Sequence, residues 1–256
     1  MNNEASAILF LLVLSVGMMA CFYIGRHLGA REGTKTGGKV GLGAIEGAIF
    51  ALLGLLIAFT FSGAASRFEN RRHLIVEEAN DIGTAYLRIE LLPAEARPAI
   101  RELFRQYVDA RLSVYRNVND LRVARSELAR SQQLQTEIWT KSVAAAKQSD
   151  TPASTMLLLP ALNSMFDIAT VRTAATEDHP PIVIFAMLGL IALASSAMAG
   201  YQLVGTQRPS TKHIIGYVVI LSISIYVILD LEFPRLGIIR VDRFDHYLVD
   251  VRNTMN

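Results

Sequence analysis

The chain has one cysteine, Cys21, in 256 residues, so an intrachain disulfide is impossible and no redox compartment can be read from it. It has no strand-like alternation and no internal repeat, which argues against sheet and solenoid architectures. It also lacks a strong charge of either sign. The formal net charge is +2, and the stretch from Arg67 to His179 holds fifteen basic and fifteen acidic residues, so there is no basic footprint for nucleic acid. Catalytic chemistry is thin. His27, His73, His179, His213 and His246 are scattered, and no serine, cysteine or carboxylate pair shows a nucleophile arrangement, so an enzyme and a cofactor are not expected. His73 and Glu77, with Glu78 beside them, would supply two metal ligands on one helix face where a site needs three or four. A solvated helix face and no metal is the expectation there. The glycines of the Lys35 to Gly47 stretch, among them Gly37, Gly38, Gly41 and Gly43, follow no strand and read as a flexible connection rather than a phosphate loop.

What the chain has is apolar residue in blocks. Hydrophobic residues make up 52% and mean hydropathy is +0.33, yet charged residues still reach 19%, so the two kinds must be segregated. Four blocks result: Ala5 to Gly25, Gly47 to Ser66, Pro180 to Gln207 and Ile214 to Leu229, each near the roughly 20 residues that cross hydrocarbon. The expected fold is all-α and integral to the membrane, with two helical pairs (within 1–66 and 180–231) flanking a helical extramembrane insert (67–179), then a turn and amphipathic tail (232–256). The first block has Glu4 before it and Arg26 and Arg31 after it, the reverse of a positive n-region, so it reads as a spanning helix and not a cleaved signal.

The insert has helical periodicity. Ile100, Leu103, Phe104, Tyr107, Val108 and Leu112 form one stripe. Leu121, Leu128, Leu134, Ile138 and Val143 form a second, and Met156, Leu159, Leu162, Met165, Phe166 and Ala169 a third. Breaks are expected at Leu92-Pro93, near Asn117 to Asp120, and at Ser149 to Pro152. Pro234 should end the fourth spanning helix and Gly237 permit a turn. Val241, Phe244, Leu248 and Val251 then share one face of the tail, suited to packing on the insert or on another subunit.

Two features of the spanning helices bear on function. In the third block Gly189, Ala192, Ser195, Ser196, Ala199 and Gly200 favour close helix approach. The second block runs without proline into Arg67, Arg71 and Arg72, so the helix is expected to leave the membrane still helical. Ala51, Leu55 and Phe59 are spaced i, i+4, i+8 along it and would form stacked apolar rings in a symmetric oligomer, a neck that gates by dewetting; the alternative is ordinary lipid or core packing. Glu46 is the one acid near the start of a spanning helix. It reads either as an interfacial residue favoured by the helix N-terminus or as a vestibule or proton-relay charge.

Orientation is contested by the charges. Arg26, Arg31, Lys35, Lys39, Arg208 and Lys212 in the short loops favour a cytoplasmic side for those loops, whereas Arg67, Arg71, Arg72, Arg172, Arg235, Arg240 and Arg243 lie near the other face.

The stretch Leu53-Gly54-Leu55-Leu56-Ile57-Ala58-Phe59, followed by Arg67-Phe68-Glu69 and Arg71, resembles the neck-bearing segment of bestrophin anion channels. Glu232-Phe233-Pro234 with Gly237 and Asp242 is similar to the turn after the last membrane helix of that family. Over nearly its whole length the chain resembles the bacterial bestrophin-like family, through Arg71, the run Glu78-Ala79-Asn80-Asp81-Ile82-Gly83-Thr84-Ala85-Tyr86-Leu87-Arg88, Leu91-Leu92-Pro93 and Tyr107-Val108-Asp109. This resemblance implies a multi-pass protein of the bacterial inner membrane, termini and insert in the cytoplasm, and a homo-oligomer, in bestrophins a pentamer, around a pore for an inorganic anion. By carry-over Leu55 and Phe59 occupy the neck positions. Arg67, Arg71, Glu78, Asn80, Gly83, Pro93, Pro234 and Gly237 are the family-motif residues. Thr60-Phe61-Ser62 departs from the polar bestrophin sequence, and no acidic cluster follows Pro234, so a calcium clasp is not implied. The leading alternative is a non-conducting membrane sensor or scaffold whose insert binds a protein partner; a third reading is a stator-like proton-coupled complex, for which Glu46 would be the intramembrane acid although it sits near the helix start.

Overall fold

The computed structural model describes residues 3–32, 39–118, 120–149, 151–203, 211–235 and 237–255. Lys35, Gly37, Gly38, Arg208 and Leu236 lie outside these residues. Among the described residues eight α-helices follow one another: α1 (Asn3–Glu32), α2 (Lys39–Arg88), α3 (Arg97–Arg116), α4 (Leu121–Lys147), α5 (Leu159–Glu177), α6 (Ile182–Gln202), α7 (Thr211–Glu232) and α8 (His246–Thr254). The chain is all-α, with no strand among the described residues. Helices α1, α2, α6 and α7 each carry an apolar stretch long enough to cross a bilayer, so this is a multi-pass membrane protein whose helices contact lipid.

Helix α2 is unbroken from Lys39 to Arg88. It begins well before Gly47, so the expected flexible connection is shorter than the glycines suggest, and Gly43 and Gly47 lie inside the helix. In a helix every backbone group after the first turn finds its own partner, which offsets the glycine penalty where lipid offers none. The helix tightens into a single 3₁₀ turn at Ile89–Leu91, and Leu92 is extended ahead of Pro93, as the residue before a proline prefers.

The chain divides into two compact units. The first comprises residues 1–68 and 179–239. Its tightest contact is between α1 and α6: a Cβ on Gly25 would sit 1.8 Å from the Ala197 carbonyl oxygen, and one on Gly200 would sit 1.9 Å from that of Phe22. Ser196 donates to the Met18 carbonyl at 2.6 Å beside them, and Ala192 and Ser195 are buried. Small residues thus let two backbones touch where lipid supplies no hydrophobic drive between helices. Gly189 takes no part, because nothing lies within 4 Å of its Cβ direction. Leu14, Met18, Leu53, Ala64, Leu188, Val218, Ile225 and Ile228 fill the interior, and Ser15 bonds Ser222 at 3.0 Å between α1 and α7.

The second unit comprises residues 69–178 and 240–256. All six residues of the α3 stripe are buried, packed with Ile82, Ala85, Ile89, Ile138, Leu158, Leu162 and Met165. Asp120 caps α4 by accepting from the Arg122 and Val123 amides. The buried face of α4 runs through Ser131, Leu134, Ile138, Ser142 and Ala145, so Leu121, which fits the period, is exposed at the helix start. Met156 is likewise exposed, in a π-turn spanning Ser154–Leu158. Helix α8 completes this core with Leu248 and Met255, tied down by Arg252, which donates to Asp109 at 2.8 Å.

Candidate functional site

Three groups of residues stand out: the exposed face of α2 and two sets of buried polar side chains. The first is the outer face of α2. Ala51, Leu55 and Phe59 point away from the chain's own packing, with Leu55 53% and Phe59 69% exposed. Of the four spanning helices α2 is the least covered by its own chain: 11% of its apolar stretch is buried, against 22%, 22% and 39% for those of α1, α6 and α7. Phe59 also borders an apolar groove of about 290 Å³ lined by Leu56, Thr60, Gly63 and Arg67 of α2 and by Ile184 and Phe185 of α6. The Thr60 hydroxyl donates back to the Leu56 and Ile57 carbonyls, so it adds no unpaired donor to this surface.

Glu46 lies on the other face. Nine residues separate it from Leu55, about half a turn of rotation at 100° per residue. It shares its side with Phe50 and Leu53, and is 3% exposed with Oε2 unpaired among the described residues. Phe50 meets Tyr217 of α7 edge-on at 6.3 Å, and the Tyr217 hydroxyl is likewise buried and unpaired. Because α2 starts at Lys39, Glu46 is beyond the first turn, where the helix dipole would favour it.

The second group joins the ends of α2's apolar stretch and α7 within the first unit. The Arg67 Nε lies 3.0 Å from each Glu232 oxygen, and its Nη2 donates to Oε2 at 2.8 Å. The Glu232 side chain is fully buried and also faces His179 Nδ1 at 3.0 Å, whose ring stacks on Phe233 at 4.6 Å. Glu232 belongs to the family-like turn, but its pairing with Arg67 and His179 is visible only in the structure. Just beyond, Asp230 accepts from the Ile238 amide at 2.9 Å and the Ile239 amide at 2.8 Å. Gly237 is required because a Cβ there would fall 1.4 Å from the Asp230 carboxylate. Pro234 is buried in the turn so formed.

The third group is a buried ionic network in the second unit. Glu78, fully buried, accepts from Arg111 Nε at 2.6 Å and from Arg172 Nη1 at 2.5 Å. Arg172 also donates to Asp245 at 3.0 Å and lies 3.7 Å above the Tyr115 ring, whose hydroxyl accepts from Arg111 at 2.7 Å. Two carboxylates thus balance two guanidiniums. Burial pushes the Glu78 carboxyl up, but the two guanidiniums outweigh it and hold it below its ordinary value. Burial raises the Tyr107 phenol in the same core, where its oxygen accepts from Gln135 at 3.3 Å.

This network corrects the expectation of a solvated face at His73, Glu77 and Glu78. His73 and Glu77 are exposed, whereas Glu78 is sealed between two arginines that sequence spacing did not connect to it. No cluster of metal-ligating side chains occurs among the described residues. Arg71 is a support, donating to the Ala175 carbonyl at 2.9 Å and the Asp178 carbonyl at 2.8 Å at the end of α5, where a cation suits the helix terminus. Asn80 is exposed. Gly83 meets only Val251 at ordinary contact distance, and Pro93 accepts from the Ala96 amide at 3.0 Å ahead of α3.

No curated protein and no solved structure matches the chain. A family model for the bestrophin-like domain matches residues 12–243, nearly the whole sequence. That match spans α2, the Arg67–Glu232 pair and most of the buried network, and the chain belongs to the bestrophin-like family.

Proposed function

We propose that the protein is a homo-oligomeric ion channel in which α2 lines a shared pathway for small inorganic anions. Ala51, Leu55 and Phe59 form its apolar neck. The observation that carries this reading is the coverage of α2, the least buried of the four spanning helices in its own chain. A helix that borders a central pathway is completed by other copies and by water in the pathway, not by its own subunit. Family membership supports the same reading. Rings of Leu and Phe side chains exclude water at low diameter and so close a pore without a charged plug. Arg67, Glu232 and His179 then act as a brace where the apolar stretch of α2 and helix α7 end, while Glu46, facing inward, is outside the neck. The reading places the protein in the bacterial inner membrane with the second unit on the cytoplasmic side.

The test is flux from liposomes. Leu55→Ala and Phe59→Ala should each raise anion leak several-fold, since smaller rings wet more readily, with assembly unchanged by size-exclusion chromatography and light scattering. Unaltered or absent flux from an intact oligomer would instead favour a non-conducting sensor or scaffold.

A further inference from the structure

The second unit has a groove of about 250 Å³ between α4 and α5, with mixed polar and apolar walls and Arg111 of α3 at its floor. Arg111 is 1% exposed. Its Nε is held by Glu78, and its Nη2 by Tyr115 and, at 3.4 Å, by the Ala169 carbonyl. The two N–H groups of Nη1 have no acceptor among the described residues. Nη1 is the part of this guanidinium left open to the groove, where its donors can meet an acceptor from solution.

The walls present the opposite chemistry. The hydroxyls of Ser131, Thr170 and Thr173 spend their protons on carbonyls of their own helices, at 2.7, 3.1 and 2.8 Å, so only lone pairs remain. Glu177 adds a carboxylate at the exposed edge. Gln132 and Gln135 add amides to the walls, so the groove offers one cationic donor at depth, and toward its mouth hydroxyl and carboxylate acceptors beside two amides.

We propose that this groove binds a small zwitterion of the free amino acid class. The ligand's carboxylate meets Arg111 Nη1, and its ammonium group faces Glu177 and the threonine oxygens. The fork of a guanidinium suits a carboxylate or a phosphate equally, and the local charge decides between them. Glu78 and Asp245 already balance Arg111 and Arg172, and Glu177 makes the surroundings net negative, which disfavours a dianion such as phosphate. The site is independent of whether the membrane helices conduct.

The experiment is a thermal-shift and calorimetric titration of the detergent-solubilised full-length protein. The free proteinogenic amino acids are the probes, with acetate and inorganic phosphate beside them. At least one amino acid should stabilise the protein and bind at least tenfold more tightly than acetate or phosphate. Ala174→Trp, at the exposed edge of the groove, should weaken that binding tenfold or more without changing the melting temperature of the unliganded protein. Glu177→Gln should erase the preference for the amino acid over acetate. These variants leave the buried network in place, so a loss of binding is not a loss of fold. A shift from none of the amino acids, a phosphate that binds as well as they do, or binding unchanged in Ala174→Trp would overturn the proposal.

Discussion

Replacing Glu78 by glutamine should unfold the second unit at markedly lower temperature. The carboxylate is fully buried and is the shared acceptor for Arg111 and Arg172, whose side chains are 1% and 4% exposed. Arg172 keeps Asp245, but Arg111 is left with a phenol and a carbonyl. Removing one member of a buried ion pair costs about 3–5 kcal/mol, chiefly through the charge left without a counter-ion. For a unit of this size that corresponds to a fall of roughly 10–20 °C in melting temperature. The assay is built into the chain: Trp139 is the only tryptophan and packs against this core, so intrinsic fluorescence follows the second unit. The double variant Glu78→Leu with Arg111→Met removes both charges and should melt above Glu78→Leu alone, because no unpaired guanidinium remains at that position.

Acid should act through the same group. Since the folded protein holds the Glu78 carboxyl below its ordinary value of 4.5, the unfolded chain takes up the proton first as pH falls. The stabilisation is therefore present above about pH 4.5 and is lost as pH drops through the folded-state value. The Trp139 melting temperature should decline over that acidic range in the native protein and follow a flatter profile in Glu78→Gln. A Glu78→Gln melting point within about 2 °C of the parent, less than about 1 kcal/mol on the same scale, would refute the reasoning.

Gly200→Leu should disrupt the first unit, because even a Cβ would overlap the Phe22 carbonyl at 1.9 Å; Gly189→Leu, with nothing within 4 Å, should not. The check is yield and monodispersity in detergent, where Gly200→Leu should be lost or aggregated. Gly237→Ala should break the Asp230 turn through the 1.4 Å clash and expose the chain after α7 to limited proteolysis. Equal protease resistance of the parent and Gly237→Ala would contradict that role. Replacing Arg67 by Met should destabilise the first unit more than replacing Arg72, since Glu232 is fully buried whereas Glu69 is 58% exposed.

The parts of this fold that were legible from sequence are those where one periodic property decides. The α3 stripe from Ile100 to Leu112 is buried throughout because a 3.6-residue period and a buried face are the same fact. Length and hydropathy suffice for the spanning helices, as lipid admits little else. Leu121 and Met156 fit their periods and are nevertheless exposed, since a helix end can outrun the neighbour that would cover it.

The pairing of the charged groups was not legible, and for one reason. Arg111 sits inside the α3 stripe, four residues after Tyr107, and Arg172 follows Ile168 and Ala169 on the buried face of α5. An arginine at a core position is the available sign, but its partner lies 33 or 94 residues away and no local rule connects them. The contact of Glu232 with His179 was hidden likewise, one residue lying at the end of α7 and the other before α6. Glu46 was visible as an unusual acid, but its facing depended on where α2 begins, and the glycines suggested a later start than Lys39.

Whether α2 lines a conducting pathway is decided by chloride flux from liposomes holding Phe59→Cys in a Cys21→Ala background, before and after a membrane-impermeant thiol reagent. Position 59 is 69% exposed in the single chain, so its accessibility in the assembly distinguishes water in a pathway from lipid. If α2 lines the pathway, the reagent modifies the thiol and changes the flux, and an equivalent cysteine at Val13 on α1 has no such effect. A fully assembled oligomer with no chloride flux, or flux that is indifferent to the reagent at position 59, would contradict it.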